Sequence, residues 1–242
     1  MLLETRQLLA AFTTVPSQTR KRTINNLIAS LKRFGLWDKM GAMYVLAAHD
    51  QQAAKINWKA PTETALAETA TVTFTVDRGF AGDGATGSLA GPTAIPSIPG
   101  CSQDSTHVSV WNLSTGQAAS PQIGKPTTSD IFINSRNVAD QAVTRVNNTT
   151  AFTGPNTNAS GFYVTSRTAS NLTDLYKNGV LIATNATASA AGASEVLSFF
   201  KVGGSFLNHQ CSFGAAGSGL NAADAALLYP VVYQYMVAVG AA

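Results

Sequence analysis

The sequence carries little charge. Asp, Glu, Lys and Arg make up 12% of its 242 residues, about half of the share found in an ordinary soluble domain. Its two cysteines, Cys101 and Cys211, belong to no CxxC or Cys/His cluster, so a zinc site is not expected. Two unpaired thiols are the first expectation, and a disulfide between them is the alternative. No uncharged apolar run has transmembrane length and no signal peptide is recognisable, so we expect a protein made in the cytoplasm without a membrane segment.

The residue patterns of common hydrolases are also missing. The four glutamates do not form the Glu-x-Asp-x-Glu pattern that jelly-roll glucanases place on one strand, and no serine sits in Gly-x-Ser-x-Gly. Glu63 and Glu68 lie in a Thr/Ala-rich stretch, where a solvated role is expected. We therefore predict no enzymatic activity. Asp130 and Glu195 are far apart in the sequence but could still meet in space, which leaves a carboxylate pair open.

Residues 1–60 are predicted to form a helical segment that docks onto other subunits. Apolar residues recur there at helical spacing, and two tryptophans follow. A free arm should not expose so much apolar surface, so six residues are predicted to form an assembly interface: Ile24, Leu27, Ile28, Leu31, Trp37 and Trp58. The segment 1–59 also holds nine of the sixteen Lys and Arg residues. Because no aromatic residues are interleaved with them, nucleic-acid binding is not expected.

Beyond residue 60 the hydrophobic period changes from helical to alternating. Residues 71–77 alternate apolar and polar side chains, and short apolar runs such as 129–134 follow, separated by Gly, Pro, Asn and Ser. Asn178-Gly179 between two apolar runs predicts a two-residue type I′ hairpin turn. Many short strands joined by turns predict an all-β, antiparallel sandwich or jelly roll.

The C-terminal residues return to helical spacing. Asn221 is predicted to cap a helix, and Pro230 predicts a kink or a late start because proline lacks a backbone donor. We therefore divide the chain into a helical docking segment, 1–60, and a β-sandwich, 61–242, with the C-terminal helix packed at its edge.

Two stretches around the predicted hairpin resemble laminin-G and concanavalin A-like domains. They are Gly161-Phe-Tyr-Val-Thr-Ser-Arg167 and Leu175-Tyr-Lys-Asn-Gly-Val-Leu-Ile182, in which a strand ending in Arg precedes a Tyr-x-Asn-Gly hairpin. Tyr44-Val-Leu-Ala-Ala-His-Asp50, with Asn57-Trp58 after it, is similar to phage and prophage proteins that carry such a domain. The resemblance implies a virion component, such as a tail- or head-fibre protein, assembled in the host cytoplasm as a homo-oligomer with other virion proteins, and often sugar-binding.

Candidate ligand-binding residues are aromatic and amide side chains of the predicted sandwich. Trp111, Tyr163 and Tyr176 could stack on sugar rings, and Asn147 and Asn148 could supply hydrogen bonds. The favoured hypothesis is a structural or decoration subunit of a phage-like particle. The alternative is a carbohydrate-binding receptor module that contacts a cell-surface glycan, with a polysaccharide-degrading enzyme behind both.

A divalent ion is the remaining ligand to consider. Asp77 and Asp83 flank a glycine-rich turn that offers hard oxygen donors, and laminin-G-like domains often bind Ca²⁺. The two carboxylates are therefore candidate Ca²⁺ ligands. A tight turn that needs no ion is the first expectation, and the sequence predicts no other cofactor.

Overall fold

Short strands joined by turns make up most of the computed structural model, which describes residues 1–69, 71–128 and 130–242. The helices are α1 (Leu3–Ala11), α2 (Gln18–Arg33), α3 (Gln51–Ala54) and α4 (Ala222–Val239). The strands are β1 (Met40–Tyr44), β2 (Ala67–Thr69), β3 (Thr73–Thr75), β4 (Gly79–Ala81), β5 (Ser88–Ala94), β6 (Thr106–Asn112), β7 (Ile123–Gly124), β8 (Ile131–Asn134), β9 (Gln141–Val146), β10 (Phe152–Pro155), β11 (Gly161–Ala169), β12 (Leu172–Lys177), β13 (Val180–Asn185), β14 (Val196–Phe199), β15 (Lys201–Val202), β16 (Ser205–Phe206) and β17 (Gln210–Gly217). Short 3-10 turns lie at Trp37–Lys39 and Ile95–Ser97.

Two antiparallel sheets face each other, which confirms the predicted all-β sandwich. The eight-stranded sheet has the order β13-β12-β11-β6-β17-β4-β3, and β1 also pairs with β17. The seven-stranded sheet has the order β10-β9-β8-β7-β14-β5-β2. Aromatic rings join the two layers, since Tyr44 of β1 meets Phe199 of β14 edge-on with ring centroids 6.2 Å apart. The core therefore lies between the sheets.

Helix α4 packs on the other face of the eight-stranded sheet. The ring of Trp111 on β6 stacks against Tyr229 and Tyr233 of α4 at centroid distances of 6.1 Å. Asn221 caps the helix through a capping box with Asp224, as the sequence predicted. The predicted late start at Pro230 is wrong, because the helix runs from Ala222 to Val239 with the proline inside it, and a kink there stays a prediction.

By length and composition α4 could also cross a membrane, with a mean hydropathy of 1.3 over its 18 residues. A core-packing helix meets the same criteria. In this structure one side of α4 is buried against the protein, through Ala225, Leu228, Val231, Val232, Tyr235 and Met236.

Residues 1–60 are not the separate helical segment that the sequence predicted. Met40–Tyr44 forms strand β1, which pairs with β17 in the eight-stranded sheet. The six residues assigned to an assembly interface are all buried inside the chain: Ile24, Leu27, Ile28, Leu31, Trp37 and Trp58. The reason is that α2 lies against α4, where Arg20 donates to the Tyr235 hydroxyl at 3.2 Å, and Trp58 packs edge-on against the Tyr235 ring. The apolar stripe is thus covered by the protein's own C-terminal helix.

The hairpin between β12 and β13 is confirmed. Asn178 and Gly179 have φ values of 50° and 77°, which a type I′ turn requires at both central positions. The predicted strand at 71–77 is shorter than expected, since only Thr73–Thr75 is extended and paired. The predicted strand at 129–134 is observed as Ile131–Asn134, and its first residue, Ser129, lies outside the described residues.

Candidate functional site

A pocket of about 520 Å³ lies where strand β1 approaches strands β5 and β14 of the opposite sheet. Its volume is in the usual range for small-molecule sites, about 300–1,000 Å³. Residues 57–63 and the turn at 97–99 close its sides. We call it the Tyr44 pocket, and its lining residues are Asp38, Met40, Gly41, Ala42, Tyr44, Asn57, Lys59, Ala60, Thr62, Glu63, Gly91, Thr93, Ser97, Ile98, Pro99 and Leu197.

Two glycines make room for the Tyr44 side chain and for the pocket. Tyr44 pairs with Gly214 of β17 and points toward the seven-stranded sheet. A Cβ on Gly214 would lie 2.2 Å from the Phe199 ring, so only glycine lets the sheets approach there. A Cβ on Gly91 would lie 3.5 Å from the Tyr44 hydroxyl, an ordinary contact distance. Gly91 therefore keeps space open directly in front of that hydroxyl.

The carboxylate of Glu63 is held at the pocket wall by neighbouring polar groups. Asn57 donates from Nδ2 to Glu63 at 2.8 Å, and the hydroxyl of Thr93 donates to the other carboxylate oxygen. Asn57 is itself fixed, because its Oδ1 accepts from the backbone N–H groups of Met43 at 3.1 Å and Lys59 at 3.0 Å. The expectation of a solvated role for Glu63 is therefore wrong. The buried Asn57 links Glu63 to Met43 of β1 and so positions the carboxylate.

The hydroxyl of Tyr44 faces the pocket without a partner. The residue is only 2% exposed, and no residue that the structure describes forms a hydrogen bond with this hydroxyl. Burial, and secondly the charge of Glu63, raise the pKa of Tyr44 above its ordinary value. The phenol therefore remains protonated at neutral pH and can donate, while the nearby Glu63 carboxylate can accept.

Lys59, the basic residue of the lining, already has its partners. Its ammonium donates to the backbone carbonyl of Trp37 at 2.7 Å and lies 4.2 Å from the centroid of the Trp37 ring. Burial lowers the pKa of Lys59. Asp38 at the same pocket is exposed. The Tyr44 hydroxyl and the Glu63 carboxylate both have free hydrogen-bonding capacity inside the pocket, and they suit a ligand hydroxyl that accepts from the first and donates to the second.

The aromatic residues predicted to stack on sugars are buried. Trp111, Tyr163 and Tyr176 are 4%, 0% and 1% exposed. Trp111 lies beneath α4, the Tyr163 hydroxyl donates to the carbonyl of Asn158 at 3.1 Å, and the Tyr176 hydroxyl donates to Asp174 at 2.9 Å. The prediction that these rings stack on sugars is wrong because the helices cover one face of this sheet and the second sheet covers the other.

The two asparagines predicted to bind a ligand, Asn147 and Asn148, directly follow strand β9 of the seven-stranded sheet. Asn147 has a positive φ of 48° and donates from Nδ2 to the carbonyls of Ser102 at 3.1 Å and Gln103 at 3.0 Å, which makes it a structural link. Asn148 lines a shallow depression on this sheet, although little of its own surface is exposed. Neither asparagine contributes to the Tyr44 pocket.

The two candidate Ca²⁺ ligands each have protein partners. Asp77 pairs with Arg20 at 2.6 Å. Asp83 accepts from the backbone N–H groups of Gly87, Thr86 and Ala85, and these bonds hold the pKa of its carboxyl well below the usual range. Among the described residues, no group of three or more His, Cys, Asp or Glu side chains could hold a metal ion. Calcium binding at this turn stays a prediction.

Asp130 and Glu195 both form hydrogen bonds with Thr127 or Thr128, and these bonds are structural. Glu195 accepts from the backbone N–H groups of Thr127 at 2.8 Å and Thr128 at 3.1 Å. Asp130 accepts from the Lys125 ammonium at 3.0 Å and the Thr128 hydroxyl at 2.9 Å. Both carboxylates are engaged in holding the turn between β7 and β8. The two cysteines, for their part, are free thiols.

Neither a protein-family model nor a curated protein sequence matches this chain. Solved structures share its fold. Domain 4 of AbnA, a GH43 extracellular arabinanase from Geobacillus stearothermophilus, has a TM-score of 0.55 at 12% identity over 79% of this chain and 98% of that domain. The binding domain of botulinum neurotoxin DC, solved with rat synaptotagmin II, has a TM-score of 0.56 at 12% identity over 80% of this chain. A Trypanosoma rangeli sialidase has a TM-score of 0.52 at 12% identity over 88% of this chain.

At these identities the likeness shows the fold alone, a β-sandwich. The chain spans almost all of the arabinanase domain but only 52% of the botulinum chain and 38% of the sialidase chain.

Proposed function

We propose that the protein is a non-catalytic carbohydrate-binding module that holds a hydroxyl-rich sugar in the Tyr44 pocket. The observation that carries the proposal is the Tyr44 hydroxyl, which faces the pocket beside the fixed carboxylate of Glu63 and forms no hydrogen bond with any residue that the structure describes. A ligand hydroxyl can accept a hydrogen bond from Tyr44 and donate one to Glu63. The apolar part of the lining, with Ile98, Pro99 and Leu197, offers contact to the C–H face of a sugar ring.

The fold neighbours support a binding role. Domain 4 of the arabinanase was solved in complex with arabinotriose, and cell entry of botulinum neurotoxin type C depends on interaction with two ganglioside molecules. These ligands belong to those proteins. They support the proposal because domains of this fold present binding sites for saccharides.

We propose binding without hydrolysis. Glycosidases hold two carboxyl groups about 5–10 Å apart on either side of the bond that they cleave, one of them able to give up a proton. In the Tyr44 pocket, Glu63 accepts a hydrogen bond on each of its oxygens, from Asn57 and Thr93. Such a carboxylate is suited to accept from a ligand and to stay in place.

The cellular location in this proposal is the surface of a phage-type particle, where the module would contact a host glycan. The support is the sequence resemblance around Tyr44–Asp50 and the hairpin. The apolar residues that favoured a docking role are buried within the chain, which leaves that argument for a structural subunit without its basis. Immunogold labelling of purified particles with an antibody to this protein tests the location, and labelling absent from particles would contradict it.

The binding proposal is tested by substitution at the pocket. A glycan array first identifies bound saccharides, and calorimetry then measures their affinity. We expect Tyr44→Phe to weaken binding by about three- to tenfold, the effect of one neutral hydrogen bond, and Glu63→Gln by more. Gly91→Leu places a side chain in front of the Tyr44 hydroxyl and should abolish binding.

Tyr233→Phe is the matched control, because it removes the hydroxyl of a tyrosine that is 42% exposed on α4. Saccharide binding that survives Gly91→Leu would contradict the assignment of the pocket, and a wild-type protein that binds no saccharide would contradict the function. A reducing-end assay on the same mixtures tests for hydrolysis. Release of oligosaccharide that is lost in Glu63→Gln would show that the protein is an enzyme.

A further inference from the structure

Side chains that point away from the core on β8 and β9 line two adjoining depressions. On β9, Ala142, Thr144 and Val146 are buried between the sheets, so the alternate residues Val143 and Arg145 point to the other face. One depression, of about 320 Å³, is lined by Ala119, Pro121, Phe132, Asn134, Val143, Arg145, Val202, Gly203 and Ser205. The other, of about 330 Å³, is lined by Thr128, Asp130, Arg145, Asn148, Thr149, Ala190, Ala191 and Ala193. They share Arg145, and we call them together the Arg145 groove.

The guanidinium of Arg145 has no polar partner within the described ranges of the chain. It forms no ion pair with any residue that the structure describes, and its Nε is buried without a hydrogen bond. Its defined contact is with the ring of Phe132, the residue directly opposite on β8, whose centroid lies 5.8 Å away. Two of the other arginines form ion pairs, Arg20 with Asp77 at 2.6 Å and Arg136 with Asp140 at 2.8 Å.

The acidic residues near the groove are occupied elsewhere. Asp130 lines the same depression, but it pairs with the fully buried ammonium of Lys125 at 3.0 Å and accepts from the backbone N–H of Ala193 at 2.9 Å. Glu195 accepts from the backbone of Thr127 and Thr128. The positive charge of Arg145 is therefore left without a counterion among the residues that the structure describes, and its Nε is shielded from water.

We infer that the Arg145 groove binds an acidic polysaccharide, with Arg145 pairing with the carboxylate of one sugar unit. A guanidinium matches a carboxylate through two parallel hydrogen bonds, and such bonds are strong where water is excluded. The depressions on either side accommodate the neighbouring units, with Phe132 and Val143 as apolar contacts and Asn134 and Thr149 as polar ones. This site is separate from the Tyr44 pocket and rests on the proposed function only in taking the ligand to be a saccharide.

The test uses the full chain and hexagalacturonate, a six-unit chain with one carboxylate per unit. Calorimetry at low salt should detect binding by the wild-type protein, and the methyl-esterified hexamer should bind at least about tenfold more weakly. Arg145→Gln should weaken hexagalacturonate binding by roughly tenfold or more. Arg145→Lys, which keeps the charge but loses the planar fork, should give an intermediate loss. Arg136→Gln, which removes an equal charge outside the groove, is the control and should bind as the wild type does.

The outcomes separate this inference from the proposed function. Unchanged hexagalacturonate affinity in Arg145→Gln, equal binding of the ester, or no binding by the wild type would each overturn the assignment of the groove. The binding of neutral saccharides at the Tyr44 pocket is measured with the same Arg145→Gln protein. This binding should be unaffected, which would also show that the variant is folded.

Discussion

Replacing Arg167 by methionine tests what joins the two sheets at the end of β11. The side chain of Arg167 is fully buried between the sheets. Its Nε donates to the carbonyl of Val146 on the opposite sheet at 2.9 Å, and its Nη1 donates to the carbonyls of Ser170 at 2.9 Å and Ala169 at 3.2 Å. Methionine replaces the unbranched stem of the side chain but has no donor, so the substitution removes these bonds.

The expected loss in the free energy of unfolding depends on the carbonyl groups that lose their hydrogen-bond donor. Each buried carbonyl left without a donor costs about 1–3 kcal/mol. Part of this is offset because a buried charge is replaced by an apolar group, which is often favourable by itself. We therefore expect a loss of about 2–4 kcal/mol in the free energy of unfolding. For a protein of this size, that corresponds to a fall of roughly 5–15 °C in Tm.

Urea unfolding followed by tryptophan fluorescence measures this change. Arg136→Met is the matched control, since it removes an arginine whose ion pair with Asp140 is partly exposed and should cost less than about 1 kcal/mol. If Arg167→Met unfolds at the same urea concentration as Arg136→Met, the bond from Arg167 to Val146 does not hold the sheets together.

Two further predictions concern the hairpin turn and a buried histidine. Asn178→Val combined with Gly179→Val forces β-branched residues into positive φ and removes the bond from the Phe162 N–H to Asn178 Oδ1, so Tm in circular dichroism should fall by at least about 5 °C. An unchanged melting curve would contradict the turn type. Burial lowers the pKa of His107 to about 4. The unfolded chain, with a histidine pKa near 6.5, therefore binds a proton that the folded protein does not. Stability should fall by up to about 3 kcal/mol as pH drops from about 6.5 to 4, and urea titrations of His107→Gln should show a flatter dependence. If the stability of the wild type and of His107→Gln changed equally with pH, a lowered pKa of His107 would be ruled out.

Local sequence patterns predicted much of the fold, and they failed where an element is buried on both faces. The Asn178-Gly179 turn, the capped C-terminal helix and the antiparallel sandwich follow from turn chemistry, capping and alternation. Strand β1 was missed because all five of its residues are buried, between the helices on one side and the second sheet on the other. Such a strand shows no alternation and cannot be distinguished from a helical stretch by its period.

The site could not be predicted because its parts come from distant segments. Tyr44 comes from β1, Asn57 and Glu63 from the connection that follows, and Gly91 from β5 of the other sheet. The sheet packing alone brings them together. The sequence predicted that strand aromatics such as Tyr163 stack on a ligand, but a strand side chain is exposed only where one side of its sheet is free. Arg145 carried no sequence signal, since its lack of an ion partner depends on how Asp130 is used.

The pairing of β1 with β17 determines when the protein can fold during synthesis. Tyr44 is paired with Gly214, and Met40 with Gly217. At about 5–20 residues per second, the ribosome needs on the order of ten to thirty seconds to make the intervening chain. Until then, this apolar strand has no edge to join and remains open to wrong pairing. We expect the nascent chain to engage chaperones over that interval, and slow translation upstream of β17 to lower the yield of folded protein.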